Sequence, residues 1–267
     1  MTASPIASRL LSTAWCALVP LAVVAAYLGL GTVAVRCIGE PIAATAVLGA
    51  LVVALVGSVR TLRPRWLAHA PAPRLKGETP GFGWAVLGCA ALAFLAGQSL
   101  ALWIYVAAGS AGFDASNQTR HAAGAAATLL LTLVAAPAGE EFLFRGLVYP
   151  MLRRRAGVLV STLATAVVFG LLHGNAVQFA STLPLAVLLA LLYERTRALW
   201  PCVLLHLGFN LAATFVPAQT LGALANPVSA AFLCLAFAGC AVGLHRQFAG
   251  GAALGAAQDA GDEPAMQ

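Results

Sequence analysis

Charged residues are scarce in this chain. They make up 9% of its 267 residues, while hydrophobic residues make up 61%. Soluble domains carry about 25% charged residues. A chain with so few charges cannot cover a soluble surface, which excludes a soluble globular domain and indicates an integral membrane protein. The mean hydropathy of +0.89 agrees with this conclusion.

Several familiar catalytic and metal-binding patterns are also missing. The chain has no H-E-x-x-H zinc motif and no G-x-S-x-G nucleophile motif. Its six cysteines contain no C-x-x-C pair. A covalent nucleophile is therefore not expected, and neither a disulfide framework nor a thiolate metal site is indicated.

Eight apolar stretches are candidates for crossing a bilayer, which takes roughly 17 to 25 residues. They lie at about 12–34, 42–59, 83–108, 122–150, 157–174, 183–193, 199–216 and 228–244, and the sixth has an alternative start near Val177. The predicted fold is an all-α polytopic membrane helical bundle of about eight transmembrane helices. Residues 1–246 form this single bundle, with a catalytic core at 122–216. A disordered cytoplasmic tail is predicted for 247–267.

The basic residues are distributed as topology signals, so no nucleic-acid partner is expected. If the N-terminus is cytoplasmic, 12 of the 15 basic residues fall on the cytoplasmic side. Arg36 and Arg120 fall outside, and Arg145 stays within the fourth stretch. The positive-inside rule therefore predicts an N-in/C-in orientation.

Two adjacent carboxylates, Glu140 and Glu141, lie inside the fourth stretch. A charge at bilayer depth costs at least about 2.5 kcal/mol on insertion scales, so it is a functional hypothesis by default. Neighbours on a helix point about 100° apart. Arg145 follows Glu141 by four residues, the spacing at which side chains meet, which predicts an ion pair. Glu140 is then the free carboxylate, on the helix face of Leu143 and Phe144. Taken alone, this motif has an alternative interpretation as a purely structural salt bridge.

Two further polar clusters lie in later stretches. His173 follows Phe169 by four residues, and His206 and Asn210 share one helix face because they too are four residues apart. Depths from the cytoplasmic arginines are about 20 Å for Glu140, 25 Å for His173, 10 to 15 Å for His206 and 15 to 20 Å for Asn210. These depths overlap within helix tilt. A helix-to-helix hydrogen bond explains either histidine alone, but three clusters at compatible depth favour a site.

The residue types in these clusters suit hydrolysis of an amide bond. We expect Glu140 to activate water with help from His173. His206 and Asn210 would hold the developing oxyanion. A second interpretation is a metal held by Glu140, His173 and His206, the two-His-plus-carboxylate set of catalytic zinc. Because no specific metal motif is present, no cofactor is favoured and Zn is the alternative.

The order of these motifs resembles that of a known family. E-E-x-x-x-R, then F-x-x-x-H, then H-x-x-x-N, in separate apolar helices, is similar to the CPBP or Abi family of intramembrane proteases, which includes the type II CAAX prenyl endopeptidases. The motifs stand here as Glu140, Glu141 and Arg145; Phe169 and His173; and His206 and Asn210. The resemblance implies an intramembrane endopeptidase in which the first glutamate, both histidines and the asparagine are catalytic. The family has been described both as metalloproteases and as glutamate proteases, and the pairing of Glu141 with Arg145 favours the glutamate type.

The expected partners are the lipid bilayer and a membrane-anchored peptide or protein substrate. The Ala-rich composition predicts a bacterial inner membrane, where prenylated proteins are not expected. A C-terminal sorting signal or a bacteriocin-like peptide is then the better hypothesis for the substrate. Two other classes stay open. One is a non-catalytic immunity or scaffold protein, which would keep its phenotype as Glu140→Gln, and the other is a proton-coupled carrier with polar residues across both leaflets.

Overall fold

The computed structural model describes residues 5–68 and 81–261, and within them only the helical backbone of 5–17, 19 and 247–261. These residues form nine α-helices and no strand. The helices are α1 Pro5–Ile38, α2 Pro41–Leu62, α3 Phe82–Ala108, α4 Ala111–Ala123, α5 Ala125–Arg153, α6 Val158–Leu171, α7 Ala176–Thr196, α8 Trp200–Phe215 and α9 Pro227–Gly261. A short 3-10 helix, Ala218–Leu224, joins α8 to α9.

The predicted all-α membrane bundle is confirmed, with fewer membrane-length helices than predicted. Each of the eight apolar stretches contains a helix. Within the described ranges, six helices are long and apolar enough to cross a bilayer, and a seventh span would be α8 with its 3-10 extension, bent by 94°. α6 falls short because its 14 residues measure about 21 Å, against a hydrocarbon core of about 30 Å. The N-in/C-in orientation stays a prediction.

One helix, α4, lies outside the predicted apolar stretches. Its N-terminus is capped by Ser110, whose hydroxyl accepts a hydrogen bond from the backbone N–H of Phe113 at 3.3 Å. The helix is polar, and Asp114 accepts a hydrogen bond from the hydroxyl of Tyr105 on α3 at 2.9 Å. A search for apolar runs passes over such a helix, which explains why the sequence did not predict it.

The helices run up and down, and most arginines collect at one end of the bundle. Arg60 at the end of α2 donates to the hydroxyl of Tyr193 at the end of α7 at 3.0 Å. Arg154, just after α5, donates to the backbone oxygen of Trp66 at 2.8 Å. We call the end of the bundle that contains Arg60 and Arg154 the arginine-rich end, and the opposite end the arginine-poor end. The described arginines at the arginine-rich end are Arg60, Arg63, Arg65, Arg153, Arg154, Arg155, Arg195, Arg197 and Arg246, and those at the arginine-poor end are Arg36 and Arg120.

Close backbone contacts hold the helices around the carboxylate motif. α7 is the central helix, with 61% of its spanning window buried, as expected for a helix that is apolar on all sides. At the crossing of α2 and α5, a Cβ built on Gly139 would lie 2.7 Å from the Cα of Gly49. Only glycine permits this approach, which places the residue before Glu140 directly against α2.

The helix α9 extends beyond the predicted limit of the bundle. It continues to Gly261, where the sequence predicted a disordered tail from residue 247. The alanine content of this segment favours helix, since alanine has the highest helix propensity. The last residues of the predicted tail, 262–267, lie outside the described residues.

Candidate active site

The two carboxylates lie on a short α-helical segment between two π turns. The segment is Ala136–Leu143, and the π turns are Leu131–Ala135 and Phe144–Val148, all within α5. Pro137 and Pro150 each follow a π turn within two residues. Proline has no N–H to donate and crowds the carbonyl four residues back, so the helix widens ahead of it. Each widening rotates the helix that follows, so the first π turn sets the directions of the carboxylates and the second sets the direction of the helix after them.

The predicted ion pair between Glu141 and Arg145 is present and fully buried. Nη1 of Arg145 lies 3.0 Å from Oε1 of Glu141, and both side chains are 0% exposed. Nη2 of Arg145 donates to the carbonyl oxygen of Ala186 on α7 at 2.7 Å. The guanidinium also lies 5.2 Å from the centre of the Phe169 ring on α6. This pair thus ties α5 to both neighbouring helices.

His206 lies between the two carboxylates. Its Nδ1 is 2.9 Å from Oε1 of Glu141, and its Nε2 is 3.8 Å from Oε2 of Glu140. An ionised carboxylate only accepts hydrogen bonds, so Nδ1 carries the proton toward Glu141 and Nε2 is directed at Glu140. The depth count placed His206 shallower than Glu140 and did not predict the contact with Glu141.

Glu140 and His173 line one cavity of about 600 Å³. The side chain of Glu140 is 24% exposed, so it is the carboxylate of the pair that water reaches. The cavity also contains Leu143 and Phe144, the face predicted for Glu140. Nδ1 of His173 lies 3.0 Å from the carbonyl oxygen of Phe169. Since a carbonyl only accepts, Nδ1 donates there and Nε2 is left as an acceptor.

Phe169 forms the common wall behind both histidines. The residue is 1% exposed, and its ring centre lies 5.2 Å from that of His173 and 5.8 Å from that of His206. It also meets Phe144 edge to face at 5.1 Å. Rings packed at these distances hold each other's orientation. The second motif thus supplies a packing residue as well as a histidine.

Asn210 lies apart from the cavity. Its Nδ2 donates to the carbonyl oxygen of Thr132, in the first π turn, at 2.9 Å. Neither Asn210 nor His206 is among the residues that line the cavity. The structure therefore brings Glu140 and His173 together at the cavity and puts His206 behind Glu140. The oxyanion role of Asn210 stays a prediction, and its observed contact holds α8 against α5.

Of the three side chains proposed as a zinc site, Glu140 and His173 line the cavity and His206 does not. Among the residues that the structure describes, no group of three or more His, Cys, Asp and Glu side chains is placed to hold a metal ion. Nδ1 of His206 is taken by Glu141, and the charge of Glu141 is matched by Arg145. The Nε2 atoms of His206 and His173 are left free by their Nδ1 contacts, an arrangement that zinc-bound histidines also show, so zinc stays the alternative.

One wall of the cavity comes from helices that carry no motif. The residues that α1 and α2 contribute are Tyr27, Leu28, Gly31, Thr32, Val35, Arg36, Thr45 and Leu48. Sequence reasoning missed this wall because the residues match no catalytic pattern. The six from α1 are spaced as neighbours on one helix face, and that spacing is the feature that could have identified them.

A comparison with known protein families gives a match, which covers all three motifs. Residues 122–212 match the family described as type II CAAX prenyl endopeptidase Rce1-like. The matched range is about a third of the chain and includes all three motifs. The resemblance predicted from the motifs is therefore confirmed, and it supports an intramembrane protease family. Together with the membrane-length helices, it identifies an integral, multi-pass membrane protein. Comparisons with curated proteins and with solved structures give no match.

Proposed function

From the match of residues 122–212 to Rce1-like type II CAAX prenyl endopeptidases, we propose that this chain is a glutamate-type intramembrane endopeptidase. It hydrolyses a peptide bond of a membrane-associated protein or peptide. The observation that carries the glutamate assignment is the contrast between the two carboxylates. Glu141 is buried in an ion pair, whereas Glu140 is reached by water and shares a cavity with His173.

In the proposed mechanism, a water molecule lies between Glu140 and Nε2 of His173. Glu140 takes a proton from the water as its oxygen adds to the scissile carbonyl carbon, and the carbonyl oxygen becomes an oxyanion. Glu140 then passes that proton to the amide nitrogen as the carbon–nitrogen bond breaks. The water supplies the hydroxyl of the new carboxyl group and the proton of the new amine.

His206 lies near the reacting carboxylate. At 3.8 Å from Glu140, its Nε2 is beyond hydrogen-bond distance, but catalytic contacts tighten when substrate binds. When both ring nitrogens are protonated, Nε2 is a donor for the oxyanion while Glu141 holds Nδ1. Asn210 supports this role by fixing α8 to the π turn at Thr132.

The substrate and the membrane are part of the same proposal. The Ala-rich composition supports a bacterial inner membrane, where prenylated proteins are not expected. A C-terminal sorting signal or a bacteriocin-like peptide is the substrate we propose. No cofactor is favoured, and zinc is the alternative that a chelator tests.

The test compares wild type with Glu140→Gln on membrane-anchored peptides in liposomes, with and without a strong chelator. Gln keeps the shape of the side chain but cannot accept the proton, so we expect cleavage to fall by about 10²-fold or more. The chelator should have no effect. Asp114→Asn is the matched control, since it removes a carboxylate of α4 that does not line the cavity.

Two outcomes would overturn the proposal. Loss of cleavage in the chelator, restored by added zinc, would make Glu140 and the histidines metal ligands. If neither protein cleaves any peptide, yet both restore the phenotype of a deletion strain, the scaffold or immunity interpretation replaces the catalytic one.

A further inference from the structure

The cavity reaches the surface at the arginine-poor end of the bundle. Its lining includes the last three turns of α1, the first two turns of α2 and His173, just after the end of α6. The lining residues Thr32, Arg36 and Thr45 are exposed. The deeper part of the lining, around Glu140 and Phe144, is half-buried or buried. The mouth of the cavity therefore lies where α1 ends and α2 begins.

The distribution of arginines assigns a side of the membrane to this mouth. Nine described arginines lie at the arginine-rich end, whereas Arg36 and Arg120 lie at the other. By the positive-inside rule, the arginine-rich end is cytoplasmic. The mouth of the cavity then faces the non-cytoplasmic side. A substrate that enters there is an exported peptide, which contrasts with the cytosolic prenylated proteins that the family description would suggest.

Arg36 is the arginine at this mouth, and it has no ion-pair partner among the described residues. The carboxylate nearest along the chain is Glu40, which is committed elsewhere. Its Oε1 accepts from the backbone N–H of Ile42 at 3.0 Å, and its Oε2 accepts from that of Ala43, which caps α2. A guanidinium at the rim of a largely apolar cavity favours an anionic group of the ligand.

The position of Arg36 sets its distance from the chemistry. Gly139, the residue before Glu140, lies against Gly49 of α2, so Gly49 marks the level of the reacting carboxylate. Gly49 lies eight residues, about 12 Å, inside the start of α2, whereas Arg36 lies two residues, about 3 Å, inside the end of α1. The two levels are therefore about 9 Å apart. An extended peptide covers about 3.3 Å per residue, so the group that reaches Arg36 is about three residues from the scissile bond.

We propose that Arg36 is a specificity-determining residue that binds a carboxylate of the substrate, about three residues from the scissile bond, in a peptide that enters from the non-cytoplasmic side. This inference rests on the proposed protease function. The carboxylate belongs to an acidic side chain or to the C-terminus of the peptide. Both make the same bidentate contact with a guanidinium.

The first experiment measures selectivity. A peptide that wild type cleaves in liposomes is prepared with Asp or Asn at about two, three or four residues on either side of the cut, and with a free or amidated C-terminus. Wild type should prefer one acidic form by about tenfold in kcat/KM. Arg36→Gln should lose that preference, so that it cleaves the acidic and the neutral peptide with equal kcat/KM. Arg36→Glu should reverse it in favour of Lys at the same position. Arg120→Gln, which removes the other described arginine of that end, should behave as wild type.

The second experiment tests the orientation without requiring activity. Cys37, next to Arg36, is an exposed free cysteine. A membrane-impermeant maleimide should label it in spheroplasts and not in inverted vesicles, and Cys37→Ser should abolish that label. Labelling only in inverted vesicles would place the mouth on the cytoplasmic side and overturn the inference.

The outcomes separate this inference from the proposed function. If wild type cleaves no peptide, the protease assignment fails. If wild type cleaves peptides but Arg36→Gln lowers cleavage of acidic and neutral peptides equally, the protease stands and the specificity role fails. In that case Arg36 binds a lipid phosphate or supports the fold.

Discussion

Replacing Arg145 should destabilise the bundle more than replacing Arg145 and Glu141 together. In Arg145→Met, the carboxylate of Glu141 is left buried at 0% exposure without its cation. The variant also loses the hydrogen bond to Ala186 and the contact over Phe169. Breaking one side of a buried ion pair typically costs about 3 to 5 kcal/mol, because an uncompensated charge remains.

The double variant Arg145→Met with Glu141→Gln removes that remaining charge. The double variant should lose less free energy of unfolding than Arg145→Met does, by about 1 to 3 kcal/mol, since neutral residues can replace a buried ion pair at little cost. The two residues are in contact, so their effects are coupled and a double-mutant cycle measures the coupling. The single variant Glu141→Gln completes the cycle.

The assay is reversible unfolding in mixed detergent micelles, followed by tryptophan fluorescence, for wild type and the three variants. The order of stability should be wild type, then the double variant, then Arg145→Met. The ion-pair explanation would be refuted if the double variant lost as much free energy of unfolding as the two single variants lose in total. It would mean that each side chain contributes through contacts of its own and not through the charge of the other.

Three further variants test other parts of the structure. Gly139→Ala should lower the free energy of unfolding by about 1 to 3 kcal/mol, because its Cβ would lie 2.7 Å from the Cα of Gly49. The control is Gly88→Ala, whose Cβ would meet no atom within 4 Å. This control should leave the free energy of unfolding unchanged or raise it. Phe169→Leu should lower kcat about tenfold with KM little changed, because His173 and His206 both lose an aromatic neighbour. An unchanged kcat in the cleavage assay would contradict this prediction. Glu194→Gln should lower the free energy of unfolding by about 2 kcal/mol, because this carboxylate accepts hydrogen bonds from a tyrosine and two arginines. A free energy of unfolding equal to that of wild type would show that those hydrogen bonds contribute nothing to stability.

Features that depend on local spacing could be predicted from the sequence. The apolar stretches predicted a helix in each of eight places, and the interval of four residues predicted the ion pair of Glu141 with Arg145. Both follow from the geometry of one helix. The confirmed family resemblance depends on the same motifs, which lie within residues 122–212.

Features that depend on how helices pack could not be predicted in this way. The depth count assumed straight helices with a constant rise, but α5 contains two π turns and the chain bends sharply after α8. The contact of His206 with Glu141 was missed for that reason. The cavity wall of α1 was missed because apolar and isolated polar residues on a membrane helix match no motif.

The loose packing of α1 has a consequence for how reaction rates should be expressed. Only 6% of the spanning window of α1 is buried, although this helix forms one wall of the cavity. A wall in such limited contact with the protein borders the bilayer itself, so we expect a membrane-anchored peptide to reach the mouth of the cavity by lateral diffusion in the lipid. The relevant substrate concentration is then the mole fraction of peptide in the bilayer. Adding empty lipid to fused proteoliposomes should slow cleavage at constant peptide and protein, as in surface dilution of a two-dimensional reaction.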